Sequence, residues 1–291
     1  MKRILILFLI LLLLCGCSSG NNTPADIAAT TLPVWEFTAM LCTDTGLTVD
    51  RLITEPVSCL HDYSLSVNQV KLLESSQVIV ISGAGLEDFF HDSLPAEKII
   101  DASAGIELHC QETHSHEHDH GHGHSHGSDP HIWLSPSNGK AMAENICEGL
   151  CQRFPAHEPT FRANLVDLLD KLNALEIYGQ DALKDVSCRE LITFHDGFGY
   201  LAESFGLTIL EAVEEESGSE ASARELIHLI ETVREHRLTA LFTEVNGSVS
   251  SAEVIARETG VRIFCLDMAM SGNSYFHAMY HNINTLKEAL E

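Results

Sequence analysis

Seven histidines occupy every second position from 114 to 126, in the stretch HSHEHDHGHGHSHG: His114, His116, His118, His120, His122, His124 and His126. Neutral imidazole is the commonest protein ligand for zinc and other borderline metals, so such a run has a divalent metal as its default partner. Its glycines, with Glu117 and Asp119, leave nothing for a core. The segment therefore reads as a loop that binds several ions loosely and selects poorly among them. Its internal place and mixed composition argue against an affinity tag. Selective binding needs a rigid site elsewhere in the chain.

Four segments place a metal-competent side chain in a loop or at a strand end. His61 lies in EPVSCLHDYSL, His131 in SDPHIWLSP, His195 in TFHDGFGYL and Asp267 in FCLDMAM. Three imidazoles and one carboxylate make a tetrahedral set that suits zinc, whose bonds to nitrogen and oxygen are both about 2.0–2.2 Å. Each residue alone is weak: a lone loop histidine is usually an ordinary polar group, and Asp267 could equally cap the following helix. His91, His157, His228, His236, His277 and His281 are read in that ordinary way.

These positions gain meaning from the elements around them. DIAATTLPVWEFTAML reads as a short strand, a turn at Pro33 and an amphipathic helix. LTVDRLI and QVIVISG read as strands around the helix SVNQVKLLESS, and KIIDAS as a further strand before the histidine loop. A helix follows over SPSNGKAMAENICEGLCQRF, with Ser135 or Ser137 as its N-cap. Apolar residues then keep helical spacing over 159–183 with no strand beside them, which suits a strut between lobes. The alternation restarts with strands ELITFH, LTILEAV, ALFTEV and VRIFCLD, each followed by a helix. The expected fold is α/β: two βα lobes with parallel sheets, joined by one long bridging helix. The expected boundaries are 1–16 for a signal peptide, 24–155 for the first lobe with its histidine-rich loop at 109–128, 156–184 for the bridging helix and 185–291 for the second lobe. In such sheets ligands bind outside the carboxyl ends of strands, where loops carry the chemistry, and two of the four side chains come from each lobe.

The ends and the charge narrow the function class. Lys2 and Arg3 precede an apolar run over 4–14, too short to span a bilayer and flanked as an export signal. It closes on LCGC, which resembles the bacterial lipobox and implies cleavage before Cys17 and lipidation of that cysteine. The expected product is a body outside the cytoplasm, held to the membrane by its N-terminal lipid. A formal charge of −25, from 17 basic and 42 acidic residues, argues against nucleic acid as a partner. Seven of nine cysteines remain after Cys15 and Cys17 are set aside. No CxxC pair of zinc-finger spacing is among them, and Cys147 and Cys151, one helical turn apart, suit packing better than ligation.

Taken together, HDYSLSVNQVKLLESSQVIVISGAGLEDFF, DPHIWLSP, TFHDGFGYLAESFGL and FTEVNGSVSSAEVIARETGVRIFCLD resemble the metal-binding lipoproteins that serve ABC-type zinc and manganese importers. The resemblance is to the zinc-uptake branch with its histidine-rich loop. It implies two βα lobes bridged by a rigid helix, with the metal held in the cleft. His61, His131 and His195 fall on the family's histidine positions and Asp267 on its acidic one. Manganese-importing relatives carry glutamate where this chain has His195, and nitrogen-rich coordination favours Zn²⁺ over the harder Mn²⁺. Glu244 matches an acidic position near the cleft, which suggests support of a ligand from behind. Val245 and Asn246 depart from the proline and glutamine often found after it.

The implied function is extracytoplasmic capture of Zn²⁺ and delivery to an ABC permease and its ATPase, by a monomer and without catalysis. Binding would weaken as the imidazoles protonate below about pH 6–6.5. The alternatives are a zinc-binding surface adhesin or zinc buffer, and a zinc hydrolase. Against the hydrolase stand the absence of HExxH in the sequence and the closure of the fourth coordination position by Asp267.

Overall fold

The computed structural model describes residues 25–57, 60, 63–91, 95–109, 128–213 and 221–291. Cys17, His61 and the histidines of 114–126 therefore lie outside the described residues.

The first half runs β1 (Ile27–Ala29), α1 (Leu32–Leu41), β2 (Val49–Arg51), α2 (Val67–Ser75), β3 (Val78–Ile81), α3 (Asp88–His91) and β4 (Ile99–Asp101), then α4 (Pro136–Arg153). Its strands form one parallel sheet in the order β2-β1-β3-β4. The central strands IAA and VIVI are buried at every residue, whereas VDR and IID at the edges alternate in exposure. That is the pattern of a sheet covered on both faces. Pro33 is not a separate turn but sits in the first turn of α1, where its missing N–H has no helical partner to lose. Ser135 caps α4 by accepting from the Asn138 N–H.

The second half repeats the plan. It runs β5 (Glu190–Thr193), α6 (Gly199–Ser204), β6 (Thr208–Ala212), α7 (Ala223–His236), β7 (Ala240–Glu244), α8 (Ser250–Thr259), β8 (Arg262–Leu266) and α9 (Tyr275–Leu290). The strands are again parallel, in the order β6-β5-β7-β8. Numbered within its own half, each sheet is 2-1-3-4, so each has a switch point between its two central strands. There the connections diverge and leave a crevice at the carboxyl ends.

Between the halves runs α5 (Glu158–Leu183), 26 residues long, or about 39 Å at 1.5 Å per residue. Its buried face is Phe161, Leu168, Leu172, Leu175, Gly179 and Leu183, spaced at three, four and seven residues to form one stripe. At Gly179 a Cβ would come within 2.2 Å of the Phe205 ring, so the glycine lets the second lobe close onto the helix. A continuous apolar core joins the first lobe, α5, α9 and one face of the second sheet. A separate cluster, including Ile192, Phe194, Leu229, Val233 and Leu241, lies under α7 and α8.

At the first sheet's switch point the crevice is filled by the chain itself. Glu87 accepts from the Thr30 hydroxyl (2.6 Å), the Ser82 N–H (2.8 Å) and the Gly83 N–H (3.0 Å). Burial outweighs these three donors and pushes the carboxyl up to about 7. The folded chain thus holds this proton to higher pH than the unfolded chain, whose glutamate titrates near about 4.3. The contribution is full below the unfolded value and is lost as pH rises through about 7. Denaturant unfolding of the metal-free protein should lose about 3–4 kcal/mol across that window, and Glu87→Gln should flatten the slope. An unchanged slope in the variant would contradict this assignment.

Candidate metal centre

The second switch point holds chemistry instead of a plug. The β5–β7 register sets Thr193 beside Phe242, and the Phe194 N–H donates to Phe242 O at 2.8 Å. Two residues past that pair, His195 and Glu244 leave the strand ends side by side. Glu244 Oε2 lies 3.7 Å from His195 Nδ1, and both residues are only 3% exposed.

His131 arrives from the first lobe at the N-cap of a short 3-10 turn, Ile132–Leu134. Two residues before it, Asp129 Oδ1 accepts from the His131 backbone N–H at 2.9 Å and faces its ring Nδ1 at 2.7 Å. An ionised carboxylate only accepts, so Nδ1 carries the proton and neutral His131 presents a lone pair at Nε2. The Glu244 carboxyl stands on the corresponding Nδ1 side of His195 at 3.7 Å, beyond direct hydrogen-bond distance.

With a carboxyl on the Nδ1 side of each ring, the Nε2 atoms face each other 3.5 Å apart, with the ring planes at 84°. Two zinc–nitrogen bonds of about 2.0–2.1 Å meeting near the tetrahedral angle separate their nitrogens by about 3.3–3.4 Å. The pair is therefore spaced as two ligands of one tetrahedral ion. Gly197 makes this approach sterically feasible: a Cβ there would lie 2.7 Å from His195 Cδ2, 2.7 Å from Met268 Cε and 2.9 Å from His131 Nδ1.

Asp267 is half-buried at the end of β8. Asn282 on α9 holds its backbone on both sides, accepting from Asp267 N–H at 2.8 Å and donating to Asp267 O at 2.7 Å. Its carboxylate accepts from Ala269 N–H at 2.8 Å. Among the described residues no group of three or more His, Cys, Asp or Glu could hold a metal ion. Asp267 thus does not join the imidazole pair in this arrangement, and His61 lies outside the described residues. Asp129 escaped the sequence reading. Its signal is the Asp-x-His spacing in DPH, which lets a carboxylate fold back onto an imidazole two residues on.

The histidine-rich loop is rooted beside this pair. Its stem closes with Asp129 N–H donating to His109 O at 2.9 Å. The Tyr200 hydroxyl accepts from His109 N–H (2.9 Å) and donates to Asp129 O (3.0 Å). The His109 ring stacks on Tyr200 with centroids 3.9 Å apart, and its Nε2 meets Glu203 at 2.7 Å. Tyr200 and Glu203 belong to α6 of the second lobe, so the loop's base is tied across the cleft, two residues from His131.

Gly197→Ala should drive the imidazoles apart. We expect divalent-metal affinity, measured by competition with a chromophoric chelator, to fall about 10-fold or more while far-ultraviolet circular dichroism is retained. Undiminished affinity would show that the close approach of the two rings is incidental.

The family model described as zinc-uptake complex component A, periplasmic, matches residues 27–289. The zinc-binding lipoprotein AdcA of Streptococcus pneumoniae is 30% identical over an alignment of 313 residues that takes in all of this chain and 62% of that protein. The chain thus spans less than two thirds of that relative's length. A crystal structure of ZnuA superposes with a TM-score of 0.78 at 28% identity, covering 92% of this chain and all of the other. The zinc-bound ZnuA-like domain of S. pneumoniae AdcA gives 0.73 at 27% identity, covering 91% and 98%. By sequence across nearly its whole described length, and by a fold of two parallel sheets around a long helix, the chain belongs to the family of zinc-uptake component A.

Proposed function

We propose that this protein captures Zn²⁺ outside the cytoplasm and hands it to an ABC importer, acting as a carrier and not as an enzyme. The observation that carries the reading is the buried His131–His195 pair, with Nε2 atoms 3.5 Å apart and carboxylates behind both rings. Two lone pairs held at tetrahedral spacing suit zinc, and imidazole nitrogen suits it better than Mn²⁺. Family membership and the names of zinc-binding relatives support the same cargo.

His131 and His195 are the two ligands the geometry favours. His61 and Asp267 complete the set by family position, Asp267 after its carboxylate turns from the Ala269 N–H. Asp129 keeps the His131 ring in the metal-binding tautomer, and a small shift of Glu244 would do the same for His195. Cargo enters a site lined by groups that are already buried, so little water must be displaced from the ligands themselves. The loop histidines, rooted at His109 and Asp129, would raise the local zinc concentration beside His131. An N-terminal lipid on Cys17 would hold the monomer near the membrane, where a permease and its ATPase receive the ion.

Calorimetric titration tests this on the domain beginning after Cys17, beside a variant lacking residues 113–127. One tight zinc ion should survive loop deletion and disappear on His195→Ala. Tight binding that vanishes with the loop and persists in His195→Ala would make the protein a zinc buffer instead.

A further inference from the structure

The segment after Asp267 belongs to the second lobe in sequence, yet it makes a row of hydrogen bonds to the first. The Trp133 indole N–H donates to Met268 O at 2.7 Å, and the Leu32 N–H to Met270 O at 3.3 Å. Arg51 Nη1 donates to Gly272 O at 2.8 Å while its guanidinium lies over the Trp35 ring. Glu36, on α1, accepts from the Ser274 hydroxyl (3.0 Å) with one oxygen and from the Tyr275 N–H with the other. The Tyr275 hydroxyl returns to Trp133 O at 2.8 Å. Every second residue from 268 to 274 is thereby fastened to the first lobe.

The segment is bent to make these contacts. Ala269 has φ 54 and Gly272 φ 93. The left-handed region is costly for a residue with a Cβ, and buried Ala269 persists there because its neighbours are fixed on both sides. At the metal end Met268 lies beside residues that flank both imidazoles. Met268 O is bonded to Trp133, two residues beyond His131, and Met268 Cε lies beside the Gly197 space that His195 Cδ2 also borders.

We propose that residues 268–275 are an inter-lobe clasp that sets the His131–His195 spacing before any metal arrives, with Trp133 as its positioning residue at the metal end and Glu36 at the far end. The proposal rests on the zinc-capture reading and deepens it. A site spaced in advance does not spend binding energy on drawing the lobes together. Such a clasp also places resistance to opening on the Asp267 side of the cleft, so release must begin with the other ligand loops.

The test is zinc affinity together with hydrogen exchange of 268–275, in the parent, Trp133→Phe and Glu36→Gln. Trp133→Phe keeps an aromatic ring and removes the N–H; Glu36→Gln serves should the first variant fail to fold. In the parent, exchange protection over the clasp should be the same with and without zinc at every amide but Ala269, whose acceptor is the Asp267 carboxylate. In either variant the metal-free protein should lose that protection, zinc should restore it, and affinity should fall about 10-fold, the usual size of a lost supporting contact. A residue that merely stabilises the fold would not make clasp protection zinc-dependent. Unchanged affinity in both variants, or a parent clasp protected only when zinc is added, overturns the proposal. Tight zinc binding that survives His195→Ala would instead overturn the underlying reading, whatever the clasp does.

Discussion

Two imidazoles buried with their Nε2 atoms 3.5 Å apart form an arrangement that a protein must hold deliberately. Protonating both would set two cations against each other in a dry site, and rotating either ring would remove its lone pair from the centre. Asp129 and Glu244 bear on the second problem by standing on the Nδ1 side of each ring, Asp129 at 2.7 Å and Glu244 at 3.7 Å. One support comes from the first lobe and the other from the second, so the pair forms only when the lobes are correctly placed. The long helix α5, the glycines at 179 and 197 and the bonded segment after Asp267 all serve that placement.

The repeated 2-1-3-4 sheets carry different groups at their two switch points. Each sheet has a switch point where a carboxylate spans the central strands. In the first lobe Glu87 is consumed by Thr30 and two backbone N–H groups, and the crevice is closed. In the second lobe Glu244 stands behind His195, and the crevice opens on the imidazole of the other lobe. Equivalent architecture is spent on rigidity in one half and on chemistry in the other.

Much of this was legible in the sequence because it is local. The VIVI strand, the alternation of strands and helices, the Ser135 cap and the uninterrupted helix at 158–183 follow from periodicity and capping. His131 and His195 could be singled out because each sits in a loop beside an element end. What escaped depends on contacts between distant segments. Trp133 and Met268 are 135 residues apart, and nothing in either neighbourhood announces their hydrogen bond. Glu36 reads as an ordinary helix-surface carboxylate until α9 is placed over it. Gly197 reads as a loop glycine until two rings and a methionine methyl converge on the space its side chain would fill. Pro33 was misread because a proline in the first helical turn and one in a free turn look alike in sequence.

Crystals of the zinc-loaded protein, with anomalous data collected at the zinc edge, would test the central claim most directly. The account requires one strong peak about 2.0–2.1 Å from Nε2 of both His131 and His195, with Asp129 and Glu244 still facing the Nδ1 atoms. A fully occupied ion elsewhere, or bonded to either ring through Nδ1, would contradict it.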